Sequence, residues 1–208
     1  MGAGRPAGPD PSLPSLVDIK PDTDPKSIAE AARTAYRLQF CKPLPERLLD
    51  AIAGALTENP DVALRVYGRW LDPSLGYLKQ FEHVRRLFVD SWYSETFEPL
   101  AGFVNLRRLG LQQTKSTRPS LDFLRNCPHL ESLFIEGHDR AFEVVGELPD
   151  LRALSLRASR VKSLEGLRGH SKLERIWISF GGLRDLRPLA TIPKTQGLIA
   201  MSDQAYGD

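Results

Sequence analysis

Two neighbouring stretches of the sequence, 151–167 and 173–189, carry the same spacing of apolar residues. In each stretch the apolar side chains fall at positions 1, 4, 6, 11, 14 and 17, and the second stretch begins 22 residues after the first. Positions 4 and 6 alternate as in a strand, and the later spacing of three suits a tight helical or 3₁₀ return. A fixed period with one strand and one return per unit predicts a solenoid of stacked units.

The same frame recurs upstream, in units that begin at Val84, Leu106 and Leu130. Weaker units begin at Asp61 and Thr195. These stretches resemble leucine-rich repeats, whose frame is L-x-x-L-x-L, and their short returns are similar to the class of about 22 residues found in internalins and phosphatase-regulator-like proteins. The resemblance implies an α/β fold, namely a leucine-rich repeat solenoid with a parallel concave β-sheet. Its five to seven units are expected over residues 61–203.

Position 9 departs from the family frame, which usually has Asn or Cys there to bond backbone groups of the turn. The residues at this position are Arg69, Trp92, Thr114, His138, Ser159, Gly181 and Asp203. Thr114 and Ser159 keep a hydroxyl that can bond the backbone, whereas Trp92 and Gly181 do not offer the usual bond. We therefore expect irregular turns and the same fold.

The N-terminal third of the chain differs in composition from the repeats. Residues 1–24 are rich in Pro, Gly and Asp and predict a disordered tail, with a docking peptide around 13–17 as the alternative. Two helices are predicted next, from Asp24-Pro25 to about Phe40 and from Pro45 to about Glu58. Because a solenoid needs an atypical terminal unit, we interpret 25–60 as an N-terminal helical cap. A separate interaction or catalytic unit is the alternative.

The C-terminal end carries no such unit, because residues 204–208 form a polar tail. This pattern predicts either a clipped chain or a cover for the open end of the stack that is supplied by another molecule.

Composition and motifs argue against several functional classes. With 28 basic and 26 acidic residues the net charge is +2, which does not indicate a nucleic-acid partner. No run approaches the length of a membrane-spanning helix, and the first residues do not resemble a signal peptide, so we expect no membrane contact and a cytoplasmic location. The sequence contains no phosphate-binding loop, dinucleotide fingerprint or metal-ligand motif, so no cofactor, metal or catalytic residue is predicted.

The cysteines and histidines give little indication of chemistry. Cys41 and Cys127 are too few for a disulfide framework, and Cys127 is interpreted as a small buried residue. A nucleophile pair of Cys127 with His129 is disfavoured, because no third group is placed to orient it. The four histidines are expected at the surface or in turns: His83, His129, His138 and His170.

Positions 3, 5 and 7 of each unit point away from the core, because side chains alternate along a strand. We call the surface formed by these positions the concave face. Its position-5 column contains three large aromatic residues, a type enriched with Arg in interface hot spots. Scattered apolar residues on a repeat surface are the other interpretation. The residues predicted to contact a partner are Tyr67, Arg86, Phe88, Asp90, Arg108, Phe134, Glu136, Arg157, Arg175 and Trp177.

The function predicted from these features is that of a non-catalytic protein-binding module. Such an adapter, scaffold or regulatory partner would bind a protein or peptide on the concave face, in the way solenoids commonly do. The alternative is an enzyme whose N-terminal helical unit carries the chemistry and whose repeats read a protein substrate.

Overall fold

The structure of the chain is a computed structural model that describes residues 15–112, 114, 118–158, 160–179, 183, 185–193 and 197–201, the last range by its backbone course. These residues form one parallel sheet whose nine strands are neighbours in chain order. The strands are β1 (Ser15–Asp18), β2 (Ala35–Phe40), β3 (Ala63–Gly68), β4 (Arg86–Ser91), β5 (Arg108–Leu111), β6 (Ser132–Glu136), β7 (Ala153–Arg157), β8 (Arg175–Ser179) and β9 (Gly197–Met201).

The segments between strands are helical returns. Two are α-helices, α1 (Pro25–Ala32) after β1 and α2 (Glu46–Glu58) after β2. Six are 3₁₀ helices, at Gly76–Phe81, Glu98–Gly102, Asp122–Asn126, Phe142–Glu147, Glu165–Leu167 and Arg187–Thr191. The predicted alternation of strand and tight return is therefore confirmed.

Strand register confirms the repeat frame residue by residue. Position 4 of each unit pairs with position 4 of the next, as in Leu64 with Leu87 and Leu133 with Leu154. The backbone of the weak last unit follows the same rule, since Leu198 pairs with Ile176. Because the strand pairings from β2 onward contain no register shift, each position forms a straight column across the sheet.

One continuous core lies between the sheet and the returns. The position-4 and position-6 side chains of β7, Leu154 and Leu156, are fully buried together with Leu164 and Leu167 of the following return. The same packing recurs from Ile19 to Ile192. The returns thus cover one side of the sheet and leave positions 3, 5 and 7 on the other.

The predicted first helix is wrong beyond Ala32. Asp24 caps α1 by accepting a hydrogen bond from the backbone N–H of Lys26, but the helix ends at Ala32 and the chain enters β2 at Ala35. The apolar residues of 28–38 fit a helical period, yet Leu38 and Phe40 also alternate and are both buried. Packing against the next strand decides between the two patterns.

The N-terminal helical cap is not confirmed, because β2 continues the sheet with the frame Ala35-x-x-Leu38-x-Phe40. Helices α1 and α2 occupy the place of the 3₁₀ returns in two further strand-and-helix units. The predicted tail at 1–24 is also wrong for its second part, since β1 pairs with β2 and Ile19 is buried. Residues 1–14, the predicted polar tail at 204–208 and the side chains of 197–201 lie outside the described part.

Two of the four histidines that were expected at the surface or in turns are buried and link neighbouring units, so the surface location does not hold for them. His138 is buried at position 9, where its Nε2–H donates to the carbonyl oxygen of Gln112, 2.9 Å away. His170 is also buried: its Nε2–H donates to Leu148 and its Nδ1 accepts from the N–H of Leu173. His138 thus makes the bond to the turn that Asn usually makes at position 9 of the leucine-rich repeat frame. Ser159, Gly181 and Asp203 at the same position lie outside the described residues.

Two neighbouring returns approach each other closely at Gly146 and Gly166. A Cβ atom on Gly146 would lie 1.7 Å from the carbonyl oxygen of Gly166 in the next unit. Only a residue without a side chain allows this approach. The stacking distance of two returns therefore depends on one glycine.

Candidate protein-binding surface

The three aromatic residues of position 5 lie in one row on the concave face. Register places Phe88, Gly110, Phe134, Ser155 and Trp177 side by side on β4 to β8. Large and small side chains therefore alternate, and successive aromatic residues are two strand spacings apart, about 10 Å. Trp177 is 38% exposed, whereas Phe88 and Phe134 are half-buried.

Phe88 is held between a glycine and an arginine. Its Cδ1 lies 2.5 Å from the place where a Cβ of Gly110 would be, so the ring covers that glycine. The guanidinium carbon of Arg37, which reaches across β3 from β2, is 4.8 Å from the ring centroid. Arg37 starts beside the small Ala63, which leaves room for this reach. Such cation–π contact fixes the orientation of the ring.

A polar network joins the first four strands on the same face. Gln39 donates to Asp18 over 2.7 Å and accepts from Arg65 over 3.3 Å. Arg65 forms a salt bridge with Asp90, which is 5% exposed. The Tyr67 hydroxyl donates to Asp18 over 2.9 Å. These bonds hold the N-terminal part of the concave face in one arrangement.

Burial and the polar network shift the pKa values of Asp90 and Tyr67. Burial raises the pKa of Asp90, and the hydrogen bond and charge of Arg65 oppose that shift. Burial and the hydrogen bond to Asp18 raise the pKa of the Tyr67 phenol above its ordinary value. Tyr67 therefore remains a neutral donor throughout the physiological range.

The charged residues of the face divide into paired and unpaired ones. Arg86 bonds Asp61 over 2.9 Å, and Arg157 lies 3.8 Å from Glu136. Arg108 and Arg175 are exposed, and neither forms a salt bridge within the described residues. The positive charges of Arg108 and Arg175 are therefore not neutralised by an acidic side chain of the described residues.

All ten residues predicted to contact a partner lie on the concave face, on strands β3 to β8. The row of Phe88, Phe134 and Trp177 comes together as predicted. Asp90 differs, because its burial under Arg65 leaves it little surface for a partner.

Sequence reasoning missed the contribution of Arg37, Gln39 and Asp18, which belong to strands assigned to a helix and a tail. The frame Ala35-x-x-Leu38-x-Phe40 was the signal that could have revealed β2. A second group of exposed aromatic residues also lies near the carboxyl ends of β3 and β4: Trp70, Trp92 and Tyr93.

The rest of the described structure offers little for chemistry. Cys127 is fully buried, and burial raises the pKa of its thiol to about 11, so it is a poor nucleophile. Within the described residues, no cluster of His, Cys, Asp and Glu side chains is arranged to bind a metal ion. No helix in that part of the chain has the length and apolar character needed to span a membrane.

The family to which the chain belongs follows from its repeats. The leucine-rich repeat family described as "FBD-associated F-box protein At5g56370, LRR repeats" matches residues 66–187, which is more than half of the chain. The chain belongs to this family of leucine-rich repeats. A sequence comparison with curated proteins finds no match.

Solved structures show the same fold. Internalin C2 of Listeria monocytogenes is 17% identical, with a TM-score of 0.56, over 89% of this chain and 76% of that chain. The internalin InlF of the same organism is 12% identical, with a TM-score of 0.52, over 84% of this chain and 64% of that chain. At these identities the likeness establishes a leucine-rich repeat architecture, as the sequence frame predicted.

Proposed function

We propose that the chain is a non-catalytic protein-binding module that acts as an adapter, scaffold or regulatory partner. Leucine-rich repeat folds commonly mediate interactions between proteins, through the extended surface that a stack of parallel strands provides. The observation that carries the proposal is the row of Phe88, Phe134 and Trp177, in register on alternate strands and accessible from one side.

Binding on this face would require little rearrangement of the module. Phe88 is already fixed by Arg37 and Gly110, and Arg65 is already fixed by Asp90. Side chains that are ordered before binding lose less entropy when a partner arrives. The partner would meet aromatic anchors surrounded by arginines, which are the residue types that contribute most in interface hot spots.

The alternative of an enzyme with its chemistry in the N-terminal helical unit gains no support from the described residues. The shifted pKa values in that half of the chain belong to Tyr67, Tyr77 and Asp90, and burial is the main cause for each. Tyr77 packs against Phe40 with ring centroids 6.1 Å apart, as a core residue does.

The experiment that tests the proposal compares two exposed tryptophans. Trp177 lies on the concave face, whereas Trp70 lies in the turn after β3 and is 60% exposed. Partners captured on the full chain are identified, and their affinity for each variant is measured by calorimetry. We expect Trp177→Ala to weaken binding by about 2 kcal/mol or more, roughly thirtyfold, with the melting temperature nearly unchanged.

Trp70→Ala removes an equally large exposed ring from another surface, so it serves as the matched control and should bind normally. Normal binding by Trp177→Ala, with loss of binding by Trp70→Ala, would move the site to the turns at the carboxyl ends of the strands. Unfolding of Trp177→Ala would instead make Trp177 a core residue.

A further inference from the structure

The position-3 column of the concave face contains arginines and no acidic residue. Arg37, Arg86, Arg108 and Arg175 occupy it on β2, β4, β5 and β8. Arg86 and Arg108 are direct neighbours in the sheet, an arrangement of like charges that destabilises a strand pair. Asp61 compensates Arg86 alone. A surplus of positive charge thus runs along one side of the aromatic row.

The acids of the same face are already engaged. Asp18 accepts bonds from Gln39 and Tyr67, Asp90 pairs with Arg65, and Glu136 lies beside Arg157. Within the described residues, the concave face therefore has no acid left for Arg108 and Arg175. Their charges are complementary to acids that a partner would bring.

Small residues lie between these two arginines. Ser132 and Ala153 occupy position 3 on β6 and β7, and Ser155 occupies position 5 on β7. Phe134 and Trp177 stand on either side of Ser155 in the position-5 row. The result is a low floor with an arginine at each end and aromatic side chains along its border.

The floor has a definite length. Arg108 and Arg175 are three strand spacings apart, about 14 Å. An extended chain covers that distance in four residues, at roughly 3.4 Å per residue. Two acidic side chains that are separated by three residues would therefore meet both arginines at once, with an apolar side chain between them at Phe134 and Trp177.

We propose that this floor binds an extended acidic segment of a partner protein, with one carboxylate at Arg108, a second at Arg175 and an apolar residue between them. The proposal rests on the protein-binding function of the concave face and specifies the chemistry of what binds there. The attraction between the arginines and the carboxylates makes the association faster and more specific, and sensitive to salt.

The test is a selection of peptides from a random library displayed on phage, with the full chain as the immobilised target. The enriched peptides should carry two Asp or Glu residues with three residues between them. For a synthetic peptide from that set, Arg108→Ala and Arg175→Ala should each weaken binding by about tenfold and reduce its dependence on salt. Neither variant should melt below the parent chain, because neither arginine has a salt bridge in the described structure. Arg108→Ala should melt at the parent temperature or slightly above it, because it removes the like charge beside Arg86.

Arg85→Ala is the matched control, because Arg85 is also exposed and precedes Arg86, but it stands at position 2, outside strand β4 and outside the position-3 column. It should bind the peptide normally. The converse experiment reverses one charge pair: Arg108→Glu should lose the acidic peptide and bind a version with Lys at the matching acid. Equal loss with Arg85→Ala, or no recovery with the Lys peptide, overturns the proposal.

The remaining outcomes separate the two proposals. The enriched peptides could lack acidic residues and still depend on Trp177 for binding. That result would overturn the proposal of an acidic segment but would still support the protein-binding function. Peptides whose binding depends on neither Trp177 nor Phe134, or the absence of any enrichment, count against both. Displacement of the acidic peptide by an equal concentration of a single-stranded oligonucleotide would show a general polyanion surface and would also overturn the acidic protein segment.

Discussion

The ring of Phe88 occupies the space that a side chain on Gly110 would need, since its Cδ1 lies 2.5 Å from the Cβ position of that glycine. The two residues face each other on β4 and β5. The missing side chain of Gly110 thus leaves room for the aromatic ring to cover the backbone of the neighbouring strand, next to the guanidinium of Arg37. The position of the Phe88 ring therefore depends on the absence of a side chain at Gly110.

We expect Gly110→Ala to force the Phe88 ring away from Arg37 and to destabilise the chain by about 1 kcal/mol, as overpacking does. In a Phe88→Ala background the same substitution should be neutral or stabilising, because alanine is then the better strand residue. Urea unfolding of the parent, both single variants and the double variant measures the coupling, expected at roughly 0.5–3 kcal/mol. Additive effects would mean that the two residues do not touch in solution.

Leu154→Ala should lower the free energy of unfolding by roughly 2–5 kcal/mol, because Leu154 is fully buried at position 4 of β7 and its loss leaves a cavity. Leu186→Ala is the control, since Leu186 is exposed; its effect should stay within about 0.5 kcal/mol. Urea midpoints of the two variants give the comparison. Similar midpoints would contradict the repeat frame.

Gly146→Ala and Gly54→Ala should change stability in opposite directions. At Gly146 a Cβ meets the backbone oxygen of Gly166, which cannot rotate away, so we expect a loss of about 2 kcal/mol. Gly54 lies within α2 with nothing near its Cβ position, so alanine should stabilise that helix by up to about 1 kcal/mol. Thermal unfolding of both variants should show the melting temperature falling for the first and rising for the second.

His138 should make stability depend on pH. Burial lowers the pKa of His138 below its ordinary value of 6.5, although the bond to Gln112 and the nearby Asp139 oppose the shift. The unfolded chain therefore binds this proton more readily than the folded chain, and the stabilisation is complete above pH 6.5 and lost as the pH falls below it. Chemical unfolding from about pH 8 to about pH 5 should show this slope.

A shallower slope is expected for His138→Asn, whose amide can donate to the same carbonyl without titrating. The ring also packs on Phe97 at 4.9 Å between centroids, so the variant should be less stable at every pH. His129→Gln, which changes an exposed imidazole, controls for the general loss of a histidine. An unchanged slope in His138→Asn would assign the pH dependence to other groups.

Removal of residues 1–24 should destabilise the chain by roughly 2 kcal/mol, because it takes away β1 and the buried Ile19. The deletion also leaves Gln39 and Tyr67 without the carboxylate of Asp18. Removal of 1–14 alone keeps β1 and should melt near the parent temperature. If all of residues 1–24 formed the disordered tail predicted from composition, both deletions would instead melt at the same temperature.

The frame of Leu, Ile and Val at positions 1, 4 and 6 was sufficient to predict the repeats from Val84 onward. This spacing fits a strand followed by a tight return and does not fit one face of a helix. The row of Phe88, Phe134 and Trp177 followed from the same frame. The first two strands were not predicted, since Ala35, Leu38 and Phe40 fit a helical period as well and their partner strand decides the outcome. Burial of Asp90 and His138 depends on contacts with Arg65 and Gln112 in neighbouring units, which spacing within one unit does not reveal.

The straight columns of the sheet coexist with units of unequal length, from 21 residues between Leu133 and Leu154 to 26 between Leu38 and Leu64. Changes in chain length are thus absorbed entirely by the returns. A peptide inserted after a strand would leave the order of the concave face intact, whereas one residue deleted within a strand would turn its leucines outward. The molecule can therefore lengthen or exchange its returns in evolution, or receive an engineered loop there, while the spacing between its arginines and aromatic residues stays the same.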